Sequence, residues 1–219
     1  AGGAYVNAMV RANGATGLTI RGRGIIAQNE TLGKQLSGIV LTDCDDLTIE
    51  GVIEHKRQFG WSSLLDKCQR ASVTHYKVVS DFRPCTDGLN PRGCGDLTIK
   101  RCFFRTGDDC IAIKGFWNEK EYWKMPANEN ILIEDCVMFS IHNGCISFGT
   151  ETAVPHYRNI TVRNCDFLHQ SGRNGSGWKA AIAIKMKFGT DISKILFEDI
   201  RIGPHDQLVS LLIHPKIWR

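Results

Sequence analysis

Two short blocks of this chain concentrate carboxylates in a way that could break a bond by proton transfer: Thr86-Asp87-Gly88 and Gly107-Asp108-Asp109-Cys110. Asp87 and Asp108 lie 21 residues apart, and Asp109 adds a third carboxylate beside them. Crowding like charges raises at least one pKa, and an acid still protonated near neutral pH is what general-acid catalysis requires. Two carboxyls with a water between them suit inversion at a glycosidic carbon, at separations of roughly 6.5–9.5 Å. Each block alone has a plainer meaning. Asp-Gly is an ordinary turn signal, and clustered carboxylates also take hard cations such as calcium. What separates these readings is whether the scaffold brings both blocks onto one face.

The scaffold is written as a repeat. Gly17-Leu18-Thr19-Ile20, Asp46-Leu47-Thr48-Ile49, Asp96-Leu97-Thr98-Ile99, Asn130-Ile131-Leu132-Ile133, Asn159-Ile160-Thr161-Val162 and Lys194-Ile195-Leu196-Phe197 share one pattern, and Arg70-Ala71-Ser72-Val73 is a weaker copy. With Leu18, Leu47, Ala71, Leu97, Ile131, Ile160 and Ile195 as anchors, the spacings are 29, 24, 26, 34, 29 and 35. Such a period signals a solenoid. The unit alternates apolar and polar with period 2, which is a strand pattern, and no amphipathic helix pattern lies between copies. The expectation is an all-β fold, a single right-handed parallel β-helix of about seven coils. One coil is about the Asp87–Asp108 spacing, so the aspartates fall on adjacent rungs of one face.

The cysteines keep the same register. Cys44, Cys68 and Cys94 each precede an anchor by three residues, and Cys102, Cys136 and Cys165 each follow one by five. Stacked about 4.8 Å apart, they read as buried ladders of small apolar side chains rather than disulfides. Strands must hold register, so extra residues belong in turns: 80–84, 116–128 and 171–179. The stretch Phe116 to Lys124 mixes aromatic and charged residues, as a sugar-binding loop does, or as a loop packed on the solenoid does. Ser171 to Gly177 reads as a flexible surface loop bordering the cleft.

Length and composition bound the rest. The 219 residues suffice for one core, so residues 1–219 read as one domain. No run of 18 apolar residues spans a membrane, and no basic block interleaved with aromatics marks a nucleic-acid surface. The net charge of +4 is chiefly a statement about solubility. No cysteine spacing marks a zinc site, and no cofactor or metal is expected.

The two aspartate blocks, extended as Thr86-Asp87-Gly88-Leu89-Asn90-Pro91 and Gly107-Asp108-Asp109-Cys110-Ile111-Ala112-Ile113-Lys114, resemble the paired signature of glycoside hydrolase family 28, the polygalacturonases and their relatives. Gly22-Arg23-Gly24-Ile25-Ile26 and Phe59-Gly60-Trp61 are similar to the family's earlier coils. The resemblance implies a metal-independent inverting hydrolase with Asp108 as general acid, and Asp87 and Asp109 holding and deprotonating the water. Substrate-binding candidates are Lys114, Trp117, His142, Asn143, Lys185 and Lys187.

Three departures accompany it. Where the family has His-Gly, this chain has Asn143-Gly144, with His142 one residue early; the family's Arg-Ile-Lys is Ala183-Ile184-Lys185; and Cys85 replaces the Asn before Thr-Asp-Gly. Arg makes a bidentate fork with carboxylate that Lys does not copy. Family members usually have more coils, so the chain reads either as an unusually short member or as a fragment of a longer catalytic domain. The first expectation is a secreted or periplasmic hydrolase of an acidic polysaccharide such as pectin. The alternatives are a dextranase-like hydrolase of a neutral glucan, an inactive carbohydrate-binding β-helix and, more weakly, a polysaccharide lyase. The oligomeric state is left open.

Overall fold

The computed structural model describes residues 7–27, 36–57, 59–81, 83–117, 119–171 and 179–213. Every pairing between its strands is parallel. Each coil runs through one strand of an eight-stranded sheet and then through a second sheet system, as two segments in the earlier coils and as one long strand in His156–Gln170 and Asp191–Ile202, before rising one rung. The expected parallel β-helix is the observed one, and among the described residues the eight-stranded sheet carries its rungs from Ala8–Asn13 to Val209–Ile213.

The anchors predicted from sequence lie opposite one another. Leu47 pairs with Ala71, Ala71 with Leu97, Leu97 with Ile131, Ile131 with Ile160 and Ile160 with Ile195. Their side chains point inward and build the core with Ile49, Val73, Ile99, Ile133 and Val162. The residue before each anchor is left-handed: Gly17, Asp46, Arg70, Asp96, Asn130, Asn159 and Lys194 have φ between 50° and 72°. Gly, Asn and Asp enter that region at low cost. This is the physical reason the repeat so often begins with one of them, and why the chain bends into its next strand there.

All nine cysteines are free, and eight are buried. The stacked thiols point back along the axis. Cys68, Cys94, Cys102, Cys136 and Cys165 each contact a carbonyl in the preceding coil, those of Leu41, Leu65, Val73, Ile99 and Ile133. The ladders expected from spacing are therefore present and reduced. The 116–128 insert contains a 3-10 segment, Glu119–Lys124, whereas the core of the third insert, 172–178, lies outside the described residues, as does Phe82 of the first. Among the described residues no helix is long and apolar enough to cross a membrane.

Candidate active site

The aspartates sit where chain enters the eight-stranded sheet. Asp87 precedes the strand Leu89–Arg92, and Asp108 and Asp109 precede Ile111–Ile113. Leu89 pairs with Ile111, an offset of 22 residues, and Gly88 N–H donates to the Asp109 carbonyl at 2.8 Å. The rung-mate of Asp87 is thus Asp109. Asp108, expected at that position from a 21-residue spacing, lies one step earlier, beside Thr86 and Cys85. The one-residue offset matters, because successive side chains point to opposite sides. It divides the carboxylates into two buried ones, Asp87 at 2% exposure and Asp109 at 4%, and a partly exposed Asp108.

Each carboxylate has its own set of partners. Asp108 Oδ2 accepts from the Cys85 N–H at 2.6 Å, and Oδ1 accepts from its neighbour's N–H at 3.0 Å and from Asn143 Nδ2 at 2.9 Å. Asp109 Oδ1 accepts from Gly144 N–H at 2.9 Å and from the Ser147 hydroxyl. Asp87 Oδ2 has an ammonium, Lys114 Nζ, at 3.0 Å, yet no hydrogen bond of good geometry. Lys114 is itself buried. It stands 3.6 Å from Glu151 Oε2 and 3.9 Å from the centre of the Trp61 ring, so the ammonium lies on an aromatic face between two carboxylates.

Electrostatics follow from this crowding. Burial pushes the Asp87 carboxyl well above its usual range; Lys114 opposes that, and the charges of Asp108 and Asp109 add to it. Asp109 is raised chiefly by burial too, against the pull of Lys185. Burial would lower Lys114, but Asp87, Glu151 and Asp109 outweigh it and hold the ammonium charged. Four carboxylates around two lysines leave the site in negative excess, so it retains a proton more readily than isolated carboxylates do.

A raised carboxyl pKa means that the folded chain holds the proton more tightly than the unfolded chain. The site's contribution to stability is therefore complete below about pH 4 and is lost as pH rises through the raised values. Asp109→Asn keeps the shape and the acceptor but removes one charge. Its melting temperature at pH 8 is expected to exceed wild type by roughly 2–4 °C, equivalent to about 1 kcal/mol at this chain length, with a shallower fall between pH 5 and 8. Equal or lower melting temperatures across that range would contradict the charge-crowding account.

The structure places the remaining candidates as follows. Asn143, not His142, reaches the aspartates: its amide donates to Asp108 and its oxygen accepts from Lys185 Nζ at 3.1 Å. His142 is buried and makes no hydrogen bond among the described residues. Lys185 is 3% exposed and committed to Asn143. Ala183 pairs with Ser147 and is fully buried, so position 183 brings no guanidinium to Lys185. Lys187 is fixed through its backbone to Thr152. Trp117 is 57% exposed on the rim, while neighbouring Phe116 has the Arg92 guanidinium over its ring at 4.8 Å. The loop thus has one aromatic residue packed and one exposed.

Trp61, Ser147 and Glu151 are assigned no role by sequence reading. A signal for Glu151 exists: Ile111 pairs with Ile146, which puts Gly149 opposite Lys114 and Glu151 two residues beyond. Among the described residues no group of three or more His, Cys, Asp or Glu side chains is arranged to hold a metal ion; the aspartate oxygens face N–H donors, a hydroxyl and lysines instead.

Comparison with known proteins bears on the family and the fold. The model of Glycosyl hydrolases family 28 matches residues 8–206. A probable polygalacturonase of Vitis vinifera is 35% identical over 69 residues, 31% of this chain and 14% of that protein. A probable polygalacturonase of Arabidopsis thaliana is 25% identical over 158 residues, 69% of this chain and 32% of that protein. Among solved structures, a hyperthermoactive exopolygalacturonase from Thermotoga maritima superposes with a TM-score of 0.58 at 20% identity. A family 28 exopolygalacturonase from Yersinia enterocolitica gives 0.50 at 13% identity. In both, the likeness covers 78% of this chain and 38% of the other, and it speaks for the fold. The chain thus spans about a third or less of its plant relatives.

Proposed function

Because the chain belongs to Glycosyl hydrolases family 28, we propose that it hydrolyses glycosidic bonds of an acidic polysaccharide of the pectin type, with inversion at the anomeric carbon. The observation that carries this reading is the difference in exposure among the aspartates. Asp108 alone reaches the surface, while Asp87 and Asp109 lie buried on adjacent rungs behind it.

In the proposed mechanism Asp108 gives its proton to the glycosidic oxygen. Oδ2 accepts only the Cys85 N–H among the described residues, which leaves a lone pair to carry that proton. The bond from the anomeric carbon to this oxygen breaks, and its electron pair stays with the leaving oxygen. A water held by Asp87 and Asp109 attacks the opposite face and gives up a proton to that pair. Lys114 and Lys185 keep the pair partly ionised, as a base must be. Asn143 holds Asp108 in place and passes its orientation on to Lys185. A polymeric substrate places the protein outside the cytoplasm, secreted or periplasmic.

Three observations favour a second reading. Lys185 is already engaged, Ala183 offers no charge, and the site is in negative excess, all of which suits an uncharged sugar at the scissile bond. A reducing-end assay on polygalacturonate, rhamnogalacturonan, a sulfated galactan and dextran decides between them, with proton NMR following the first anomer formed. Activity on an acidic polymer with inverted product is the expected result. Activity on dextran alone would transfer the protein to the neutral-glucan reading, and retained configuration would remove the water-activating role of Asp87 and Asp109.

A further inference from the structure

A second recess lies away from the aspartates, on the turns that join the two segments of the other sheet system. In successive coils the left-handed residue of that turn is Gly51, His75, Arg101, Asp135, Asn164 and Asp199; the first coil has Gly22 there. From His75 onward the column carries side chains. At Gly22 and Gly51 it carries none, and a Cβ at Gly51 would lie 2.5 Å from the Gly22 carbonyl oxygen. The gap opens a cleft of about 780 Å³ whose walls include Arg21, Arg23, Glu50, Ile53, His75 and Lys77. That size falls within the range of small-ligand pockets, about 300–1,000 Å³.

Its charge is unusual for this molecule. Arg70, Arg163 and Arg201, on the same sheet system, each pair with a carboxylate: Asp46, Glu134 and Asp166 respectively. Arg21, Arg23 and Lys77 are exposed and form no ion pair among the described residues. Lys77 Nζ has only the His75 carbonyl, at 3.5 Å. Glu50, the rung-mate of Arg21, also stands without an ion pair among the described residues. Three cations and one carboxylate leave a local charge of +2, and the Arg101 guanidinium, bonded to His75 Nε2 at 3.0 Å, stands at the next rung. Two guanidiniums flanking a glycine can each take a carboxylate or sulfate bidentately, over a floor that includes Ile53.

We propose that this cleft is a second carbohydrate-binding site, taking a segment of an anionic glycan through its carboxylate or sulfate groups. Among the described residues no Phe, Tyr or Trp lines it, so the stacking platform that single-stranded nucleic acid uses is reduced there to the His75 ring, already engaged by Arg101. The catalytic aspartates precede strands of the other sheet, so the cleft does not belong to the site described above. Holding a polymer at two places raises its apparent affinity through effective concentration, whereas a short oligomer that reaches only one place gains nothing.

The test uses Arg21→Ala/Arg23→Ala/Lys77→Ala, whose three side chains are exposed and form no ion pair among the described residues, so the melting temperature is expected to match wild type. Titration calorimetry at low salt, in an Asp108→Asn background that removes turnover, follows binding of long-chain polygalacturonate, with dextran and a single-stranded RNA as comparisons. The expected result is at least a tenfold loss of polygalacturonate affinity in the triple variant, a weaker salt dependence, and no dextran binding by either protein. With Asp108 intact, the rate on short oligomers is expected to be unchanged by the triple substitution. Unchanged polygalacturonate affinity would overturn the proposal. So would RNA binding that is stronger than polygalacturonate binding and lost with the same three residues. The titration is independent of turnover, so even a chain inactive on every polymer would reveal whether the cleft binds an anionic glycan.

Discussion

Replacing Asp108 with Asn is expected to cut turnover by about 10²–10⁴-fold, the range for loss of a general acid, while melting stays near wild type. The carboxamide oxygen can serve the Oδ1 partners, the Asp109 N–H and the Asn143 amide, while its NH2 group takes the Oδ2 position and forfeits the Cys85 N–H. The side chain is partly exposed, so little packing is lost and the missing hydrogen bond costs about 1 kcal/mol. What disappears is the proton given to the leaving oxygen. Substrates whose leaving group needs no protonation, such as aryl glycosides with a strongly acidic phenol, should therefore lose much less. A uniform loss on both kinds of substrate would point to a positioning role for Asp108 and move the search for the acid elsewhere in the cluster.

The second large effect is expected at Lys114. Substituting it by Met leaves Asp87 and Glu151 buried with neither a hydrogen bond for Asp87 Oδ2 and Glu151 Oε2 nor their shared cation. Breaking a buried ion pair on one side costs about 3–5 kcal/mol, and a loss of that size is expected at pH 7–8 by denaturant unfolding. The sign of the pH dependence follows from what remains. Asp87, already raised by burial, takes up a proton as pH falls, so the deficit should shrink towards pH 5. Adding Glu151→Gln to Lys114→Met removes one of the uncompensated charges and is expected to restore part of the stability at pH 7–8. A double-mutant cycle without coupling would separate Glu151 from Lys114 energetically, and a deficit independent of pH would ascribe the loss to packing over Trp61.

The two experiments divide the site into what performs chemistry and what holds it ready. Lys114 lies between buried carboxylates that the fold alone would leave unstable, and the proposed mechanism needs one of them, Asp87, where it is. Stability and activity therefore conflict at Asp109, whose amide variant is expected to melt higher while losing its charge. Active sites commonly carry such a conflict.

The solenoid was legible because strand pairing in a β-helix is a stacking rule: equivalent residues recur, and turns absorb the length differences. The anchors from Leu47 to Ile195, the left-handed Asp and Asn residues before them, and the cysteine ladders are all consequences of one period read in three ways. The aspartates were legible for the same reason, since their blocks begin successive rungs. The register inside the turn was less legible. The coil from Leu89 to Ile111 holds 22 residues rather than 21, and one residue decides whether Asp108 or Asp109 faces Asp87.

By itself, then, the amino-acid order determined the rung on which each catalytic candidate would lie and the core that would carry it. Tertiary structure decided the pairings across rungs. Lys114 rests between Asp87, 27 positions before it, and Glu151, 37 positions after it, over the ring of Trp61, 53 positions before it. Asn143 joins Asp108 to Lys185, and two glycines open a basic cleft on another face. Such contacts depend on side-chain direction and on what the neighbouring coil leaves vacant, and periodicity along the chain records neither.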